Sequence, residues 1–539
     1  MSTFNRRKFL GFILLGIVSI PLIRALISWI KQTTPVLPGT LKTASYKVGH
    51  LLWNMPLKKI ARIDRADYVI VGSGISALSA ALALKNQGET NFKILELEEH
   101  PGGNSRYGSN AYGKFPLGAH YLPIPSPSMK ELIVFLKSAG VIEKENEDGS
   151  LTYNEEYLCS APEDRLFIHG KWQSGLIPDF GVPATDRQQI KRFIDFTNAL
   201  KQQKGSDGNY LFDFPLDRSS SDETFRKLDH VTMKEYLLSE GYSSEYLHWY
   251  VDYSCKDDYG TGISEVSAWA GLHYFCSRRG TATNATEHDV LTWPEGNGWL
   301  MEQLRKQLEG HFITQALAYQ VNEKNDLLEV DYLNVKTSQA QRIQCKKVIL
   351  CCPQFVIKHF RSNIPELAKR PYTQFDYSSW MVANITVRNT LEEKSGIDLS
   401  WDNVLYNSSS LGYINSSHQY LNRYQPVLNF TYYRLFDPQQ YSRKKILQTQ
   451  HSELANLMLK DMKKVYPALE EHIVSFDPFV WGHAMIKPVK HFIWGAAREE
   501  AKKSIRQKIY FAHTDLSGIS TFEEGFYQGI QVVQSLSKS

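Results

Sequence analysis

The sequence predicts an α/β fold, and three observations within one stretch predict it. Tyr68–Val71 is a continuous apolar run, as a parallel strand buried on both faces requires. Gly72-Ser73-Gly74-Ile75-Ser76-Ala77 follows at once and opens a helix rich in alanine and leucine. Lys93-Ile94-Leu95-Glu96 is a second strand that ends on an acid. Gly72 permits the tight turn, Gly74 lets the backbone approach a pyrophosphate, and Ala77 keeps the helix close to the sheet. The helix start, at Ile75 and Ser76, offers free N–H groups and a partial positive charge to phosphates. Glu96 stands where a carboxylate accepts bonds from an adenosine ribose, which disfavours a 2′-phosphate. The stretch reads as a Rossmann-type dinucleotide site for FAD or NAD rather than NADP. The alternative reading is a purely structural glycine turn.

The residues after Glu96 separate FAD from NAD. Leu97-Glu98-Glu99-His100-Pro101-Gly102-Gly103-Asn104-Ser105 resembles the flavin-containing amine oxidases and their relatives, which include carotenoid desaturases and isomerases. The resemblance implies FAD, with Gly102, Gly103, Asn104 and Ser105 passing close to its flavin side. Lys508–Asp515 resembles the closing strand of that superfamily, whose acid, here Asp515, meets the pyrophosphate and ribityl chain. Phe522–Gly529 is similar to the helix that follows, with Gly525 and Phe526 toward the flavin. Pro294–Leu300, Ile313–Val321 and Val348–Leu350 match the middle block, in which the backbone of Ala318 faces the adenine.

The resemblance implies a discontinuous Rossmann-type FAD-binding domain with an interleaved α+β substrate domain. The FAD domain takes 64–125, 283–365 and 479–535; the substrate domain takes 126–282 and 366–478. The substrate stretches are rich in Tyr, Trp and Phe. They contain amphipathic helices at Met233–Leu238 and His451–Val465 and a strand-like alternation at Trp380–Val387. Residues 36–63 read as a linker. The active site is expected between the two domains.

Flavin enzymes leave the hard chemistry to the cofactor, so few side chains are catalytic candidates. Gly118-Ala119-His120 should pass the flavin, where His120 is a base or hydrogen-bond donor, or else a structural histidine. Trp481 and His483 lead into the last FAD segment and line the pocket or fill core. Phe526 and Tyr527 are candidates for an aromatic wall. The adjacent carboxylates Asp257 and Asp258 receive a cationic amine, or cap a helix, or face water. Two departures from amine oxidases stand out. His100 and Asn104 replace arginines of the family pattern. The strand Ser379–Ile385, which corresponds to one that carries a flavin-proximal lysine in many amine oxidases, has none. The second departure bears on whether oxygen or a quinone accepts the electrons.

Composition agrees with a multi-domain globular chain: 539 residues, 42% hydrophobic and 22% charged. A net charge of +4 argues against nucleic acid as a partner. No histidine or cysteine spacing marks a metal site. The six cysteines fix no pairing, and Cys351-Cys352 read as buried thiols. The N-terminus, Asn5-Arg6-Arg7-Lys8-Phe9-Leu10 before an apolar run to Ile30, resembles a twin-arginine export signal; the alternative is an ordinary signal anchor. Residues 1–35 would then engage the twin-arginine machinery and deliver a folded, FAD-loaded protein to the periplasm, tethered to the inner membrane if uncleaved. The expected function is an exported FAD-dependent oxidoreductase that takes a hydride equivalent from an amine C–N bond. Its rivals are a desaturase or isomerase of a lipid-like or carotenoid-like substrate, and a non-enzymatic flavoprotein subunit.

Overall fold

Tyr68–Val71 becomes the central strand of a five-stranded parallel sheet. The order across it is Phe312–Ile313, Phe92–Leu95, Tyr68–Val71, Lys347–Leu350 and Ile509–Phe511. A computed structural model of the chain describes residues 36–56, 58–390, 394–420 and 425–536. The central strand is apolar because both faces are covered: Val69, Ile70 and Val71 are buried. The helix Ile75–Asn86 packs on one face, and the closing helix Phe522–Leu536 runs beside it. Small residues permit that contact. A Cβ on Gly529 would lie 2.1 Å from Ser79 Oγ, and one on Gly525 would lie 2.4 Å from Ile75 Cγ2. On the other side a four-stranded sheet, ordered Ala316–Lys324, Leu327–Asn334, Gln339–Cys345 and Ile60–Arg65, closes a second core.

The substrate region centres on an eight-stranded mixed sheet. Tyr377–Arg388 and Ile473–Ile486 are its long paired strands. Every residue of Tyr377–Arg388 is buried except Arg388, because the sheet is covered on both faces. The helix His451–Met462 covers one face with Leu454, Met458 and Met462. The helices Ala184–Lys201, Glu245–Tyr259 and Ala268–Cys276 pack together beyond the other. The expected helix at 233–238 is Met233–Ser239, started by a capping box between Thr232 and Glu235.

Each of the three chain segments expected in the FAD domain supplies strands to the parallel sheet. Two boundaries shift. Residue 479 falls inside the strand Ile473–Ile486, which belongs to the substrate sheet, so the crossing point is after Ile486. The stretch 36–63 is structured rather than a linker: Lys42–Thr43 pairs with Phe479 and Val480, Tyr46–Gly49 and His50–Asn54 are helical, and Ile60–Arg65 joins the four-stranded sheet. None of the six cysteines forms a disulfide.

The segment 1–35 that carried the export and anchor expectation lies outside the described residues. A membrane span needs roughly 20 apolar residues. Among the described residues no helix is long and apolar enough to cross a membrane. The expected membrane partner and inner-membrane anchoring are corrected on that finding, and nothing among the described residues supports the export machinery or a periplasmic location.

Candidate active site

A single cavity of about 700 Å³ runs from the glycine turn to the substrate sheet. Its first wall is main chain. Gly72 has φ of +104°, and a Cβ there would meet Cys351 O at 2.8 Å. Gly103 has φ of +57°, and its Cβ would meet Gly74 Cα at 2.9 Å. The two glycine segments therefore touch, and only glycine lets them do so. Ser73, Gly74, Ile75, Ser76, Gly102, Gly103, Asn104 and Ser105 line this part of the cavity. Ala77 lies one position further along the helix, fully buried against the sheet and outside the cavity lining.

Glu96 lines the next part. Its carboxylate accepts from the Ser73 hydroxyl and from the Glu98 N–H at 2.7 Å. Burial raises its pKa, and those two bonds oppose the shift. Ala316, whose N–H donates to Glu96 O at 2.8 Å, lines the cavity beside it with Leu317 and Ala318. Glu98 accepts from the N–H and hydroxyl of Ser45 at 2.8 and 2.9 Å and pairs with Arg106 at 3.1 Å. Asp515 also lines the cavity. Burial would raise its pKa, but His513, the Tyr377 hydroxyl at 2.5 Å and the Gln354 N–H at 2.8 Å outweigh it and hold the carboxyl below its ordinary value.

Gly118, Ala119 and His120 form the next stretch of wall. Tyr433 donates its hydroxyl to Gly118 O at 2.9 Å, and Trp481 donates its indole N–H to Leu117 O at 2.6 Å. These bonds tie the loop to two strands of the substrate sheet. His120 sits among the rings of Tyr433, Tyr121 and Trp401, at 4.6, 5.1 and 5.6 Å. Burial lowers its pKa to about 4, so the imidazole is neutral at neutral pH. His483 stacks on Phe355 at 4.0 Å and is likewise lowered to about 4, by burial first and then by Arg443.

Phe526 and Tyr527 are placed away from the cavity. Phe526 packs on Phe135, and Tyr527 donates to Glu131 at 3.1 Å. The closing helix points its N-terminus at the cavity, so a residue one turn along lies roughly 5.4 Å further away. Phe522 and Glu523, at the first turn, line the cavity instead. Gly525 serves the contact between helices and is outside the lining.

The far end is acidic. Asp257 and Asp258 occupy the last turn of Glu245–Tyr259, which Gly260 ends with φ of +63°. A helix C-terminus is an unfavourable place for carboxylates. The Tyr121 hydroxyl bridges them at 3.3 and 3.1 Å. Arg278 pairs with Asp258 at 2.7 Å, and its Coulomb interaction extends to Glu523. Asp257 is raised to about 7, by burial and then by Asp258. Three carboxylates (Asp257, Asp258 and Glu523) thus face this end against one guanidinium. Behind them Asp402, held by the Tyr253 hydroxyl at 3.4 Å, is raised by burial and by Asp257.

Residues 75–537 match the family model of flavin containing amine oxidoreductases. The chain belongs to this family. FAD is therefore the cofactor, and the fold is that of an amine-oxidase-like FAD-dependent oxidoreductase. The flavin-containing amine oxidase of Oncorhynchus mykiss is 22% identical over 344 residues, which are 61% of this chain and 58% of that protein. The chain thus spans little more than half of that relative. A putrescine oxidase solved with putrescine superposes with a TM-score of 0.62 at 14% identity, over 88% of this chain and 100% of that one. A fatty acid isomerase from P. acnes gives 0.61 at 14% identity, over 87% and 98%. Both likenesses concern the fold. The free glycine cradle, the enclosed acid Glu96 and the room beyond them fit a dinucleotide of this size.

Tyr433, Arg278 and, from 44–53, Ser45, Tyr46, His50 and Trp53 line the cavity without having been marked in the sequence, while Phe522 and Glu523 line it from the first turn of the closing helix already marked there. Tyr433, Arg278 and the 44–53 residues sit in no motif. Only their convergence from distant parts of the chain reveals them.

Proposed function

We propose that the protein oxidises a cationic amine, and that Asp257 receives the ammonium group. Asp257 takes a proton from the bound ammonium, and bound FAD would supply the redox chemistry by accepting a hydride equivalent from the carbon next to the now neutral nitrogen, which leaves the substrate as an iminium. Gly72–Ser76, Gly102–Ser105 and Ala318 would hold the dinucleotide, with Glu96 on the ribose and Asp515 near the ribityl chain. Gly118, Ala119 and His120 would border the flavin with Trp481 and His483. Neutral His120 orients the substrate by hydrogen bonding and adds no positive charge to repel an amine.

The observation that carries this reading is the charge imbalance at the far end. Arg278 pairs directly with Asp258 and reaches Asp257 only through its longer-range charge, while Asp257 accepts a hydrogen bond from the Tyr121 hydroxyl. A carboxylate raised to about 7 inside a cavity is stabilised by an incoming cation. A fatty acid or a carotenoid offers no such cation, so the lipid-like substrate is disfavoured although the isomerase shares the fold. A non-catalytic subunit would need a filled site, whereas this cavity continues past the flavin wall.

Anaerobic mixing with polyamines, monoamines, amino acids, a fatty acid and a carotenoid tests the proposal. Bleaching of the flavin absorbance by an amine alone is expected; bleaching by the fatty acid or carotenoid alone overturns it. Readmitting oxygen then distinguishes oxygen from a quinone as acceptor. Among the described residues the one lysine lining the cavity is Lys358, next to the segment behind the glycine turn, and the strand Tyr377–Arg388 carries none. This favours the quinone.

A further inference from the structure

The segment before the dinucleotide fold lines the cavity with Ser45, Tyr46, Gly49, His50 and Trp53. Its start is fastened to the substrate sheet: Phe476 N–H donates to Pro38 O at 2.7 Å, Thr40 N–H donates to Asp477 at 2.9 Å, and Lys42–Thr43 extends the sheet edge. Its middle is fastened to the FAD fold through the two bonds from Ser45 to Glu98. Its end is fastened by Leu52 and Met55, buried with Leu317, Tyr319 and Leu333. The strap therefore staples the two regions together across the cofactor.

What lies beneath it is the adenosine end. Gly49 faces Leu97, the residue after Glu96, and Leu317 adjoins Ala318. Ser45, Tyr46, His50 and Trp53 line the same cavity as Leu97 and Ala316–Ala318. His50 and Trp53 stack at 4.1 Å with an interplanar angle of 18°, and Tyr46 meets His50 edge-on at 5.4 Å. Trp53 is nonetheless 58% exposed. An indole left so open in a cavity wall, already aligned with a second flat ring, suits a planar heterocycle.

We propose that residues 45–53 are part of the FAD site: a strap that clamps the adenosine half and must lift before the cofactor enters or leaves. The Ser45–Glu98 bonds are the latch, and the rings of His50 and Trp53 are the contact surface. This inference rests on the FAD assignment alone and is independent of the amine substrate.

The test is the rate of FAD release from the full-length holoenzyme, followed by flavin fluorescence, with FMN affinity as a control because FMN lacks the adenosine half. Ser45→Ala and Trp53→Ala are expected to release FAD about tenfold faster with FMN affinity unchanged, and Trp53→Phe to restore most of the difference. In the wild type, FAD is expected to protect Lys47 from trypsin. Release within about twofold of wild type in both alanine variants, or equal loss of FAD and FMN, overturns the proposal. Should Trp53→Ala fail to fold, Ser45→Ala and the wild-type proteolysis decide by themselves.

Discussion

The two ends of the cavity are built from different materials. At the dinucleotide end the wall is largely main chain, from Gly72–Ser76, Gly102–Gly103 and Ala316–Ala318. The acids there, Glu96 and Asp515, each accept from an N–H and a hydroxyl of the protein. At the far end the wall is side chain, with Tyr121, Asp257, Asp258, Arg278 and Glu523 drawn from four stretches, and its negative charge exceeds its positive charge. A main-chain wall recognises a ligand whose shape is fixed. A side-chain wall with surplus charge awaits a counter-ion. The first end suits a cofactor cradle, and the second suits the recognition site proposed for the amine.

Breaking the cradle should have the largest effect. Gly103→Val forces a β-branched side chain into φ of +57° and against Gly74. The purified protein is expected to emerge colourless, with FAD absent from its absorbance spectrum. Breaking the recognition site should leave FAD in place. Asp257→Asn is expected to lower kcat/KM for the amine by about a hundredfold, the scale for truncating one partner of an enclosed charge pair. Equal loss of FAD and activity in that variant would show that the two ends are not separable.

Smaller changes sharpen the contrast. Tyr433→Phe keeps the ring beside His120 but removes the bond to Gly118 O. A loss of about 1 kcal/mol is expected, read as a several-fold fall in the rate of flavin reduction. Gly529→Ala, at the helix contact behind the cradle, is expected to cost about 1–3 kcal/mol in urea unfolding without altering substrate preference. Asp257→Asn should also change thermal stability in a pH-dependent way. The folded pKa of Asp257 is raised to about 7, so the folded state holds the proton more tightly than the unfolded chain. Stability from this group is lost as pH rises from the unfolded value toward 7. The variant should therefore melt higher than wild type above that pH and equally with it in acid.

The same division explains what could be read in the sequence. Gly72, Gly74, Gly102 and Gly103 were legible because main-chain sites demand glycine at fixed spacing, and Glu96 because it ends a strand. Phe526 and Tyr527 were misplaced because which turn of the closing helix meets the cavity depends on the tilt of that helix, set by Gly525 and Gly529 against Ile75 and Ser79. The stretch 36–63 looked like a linker because its first strand is two residues long, its helices are short and Ile60–Arg65 only begins at its end; its order comes from tertiary bonds. Asp257 and Asp258 were visible as a pair. Only the fold brings Arg278 to one of them and leaves the other toward the cavity.

The central claim is that Asp257 holds the substrate ammonium. The most direct measurement is the pH dependence of flavin reduction by a saturating-range series of the amine, under anaerobic conditions, in wild type and Asp257→Asn. The account predicts that the apparent amine affinity of the wild type strengthens as pH rises through about 7 and that this limb vanishes in the variant. An unchanged limb in the variant, with unchanged affinity, would contradict it.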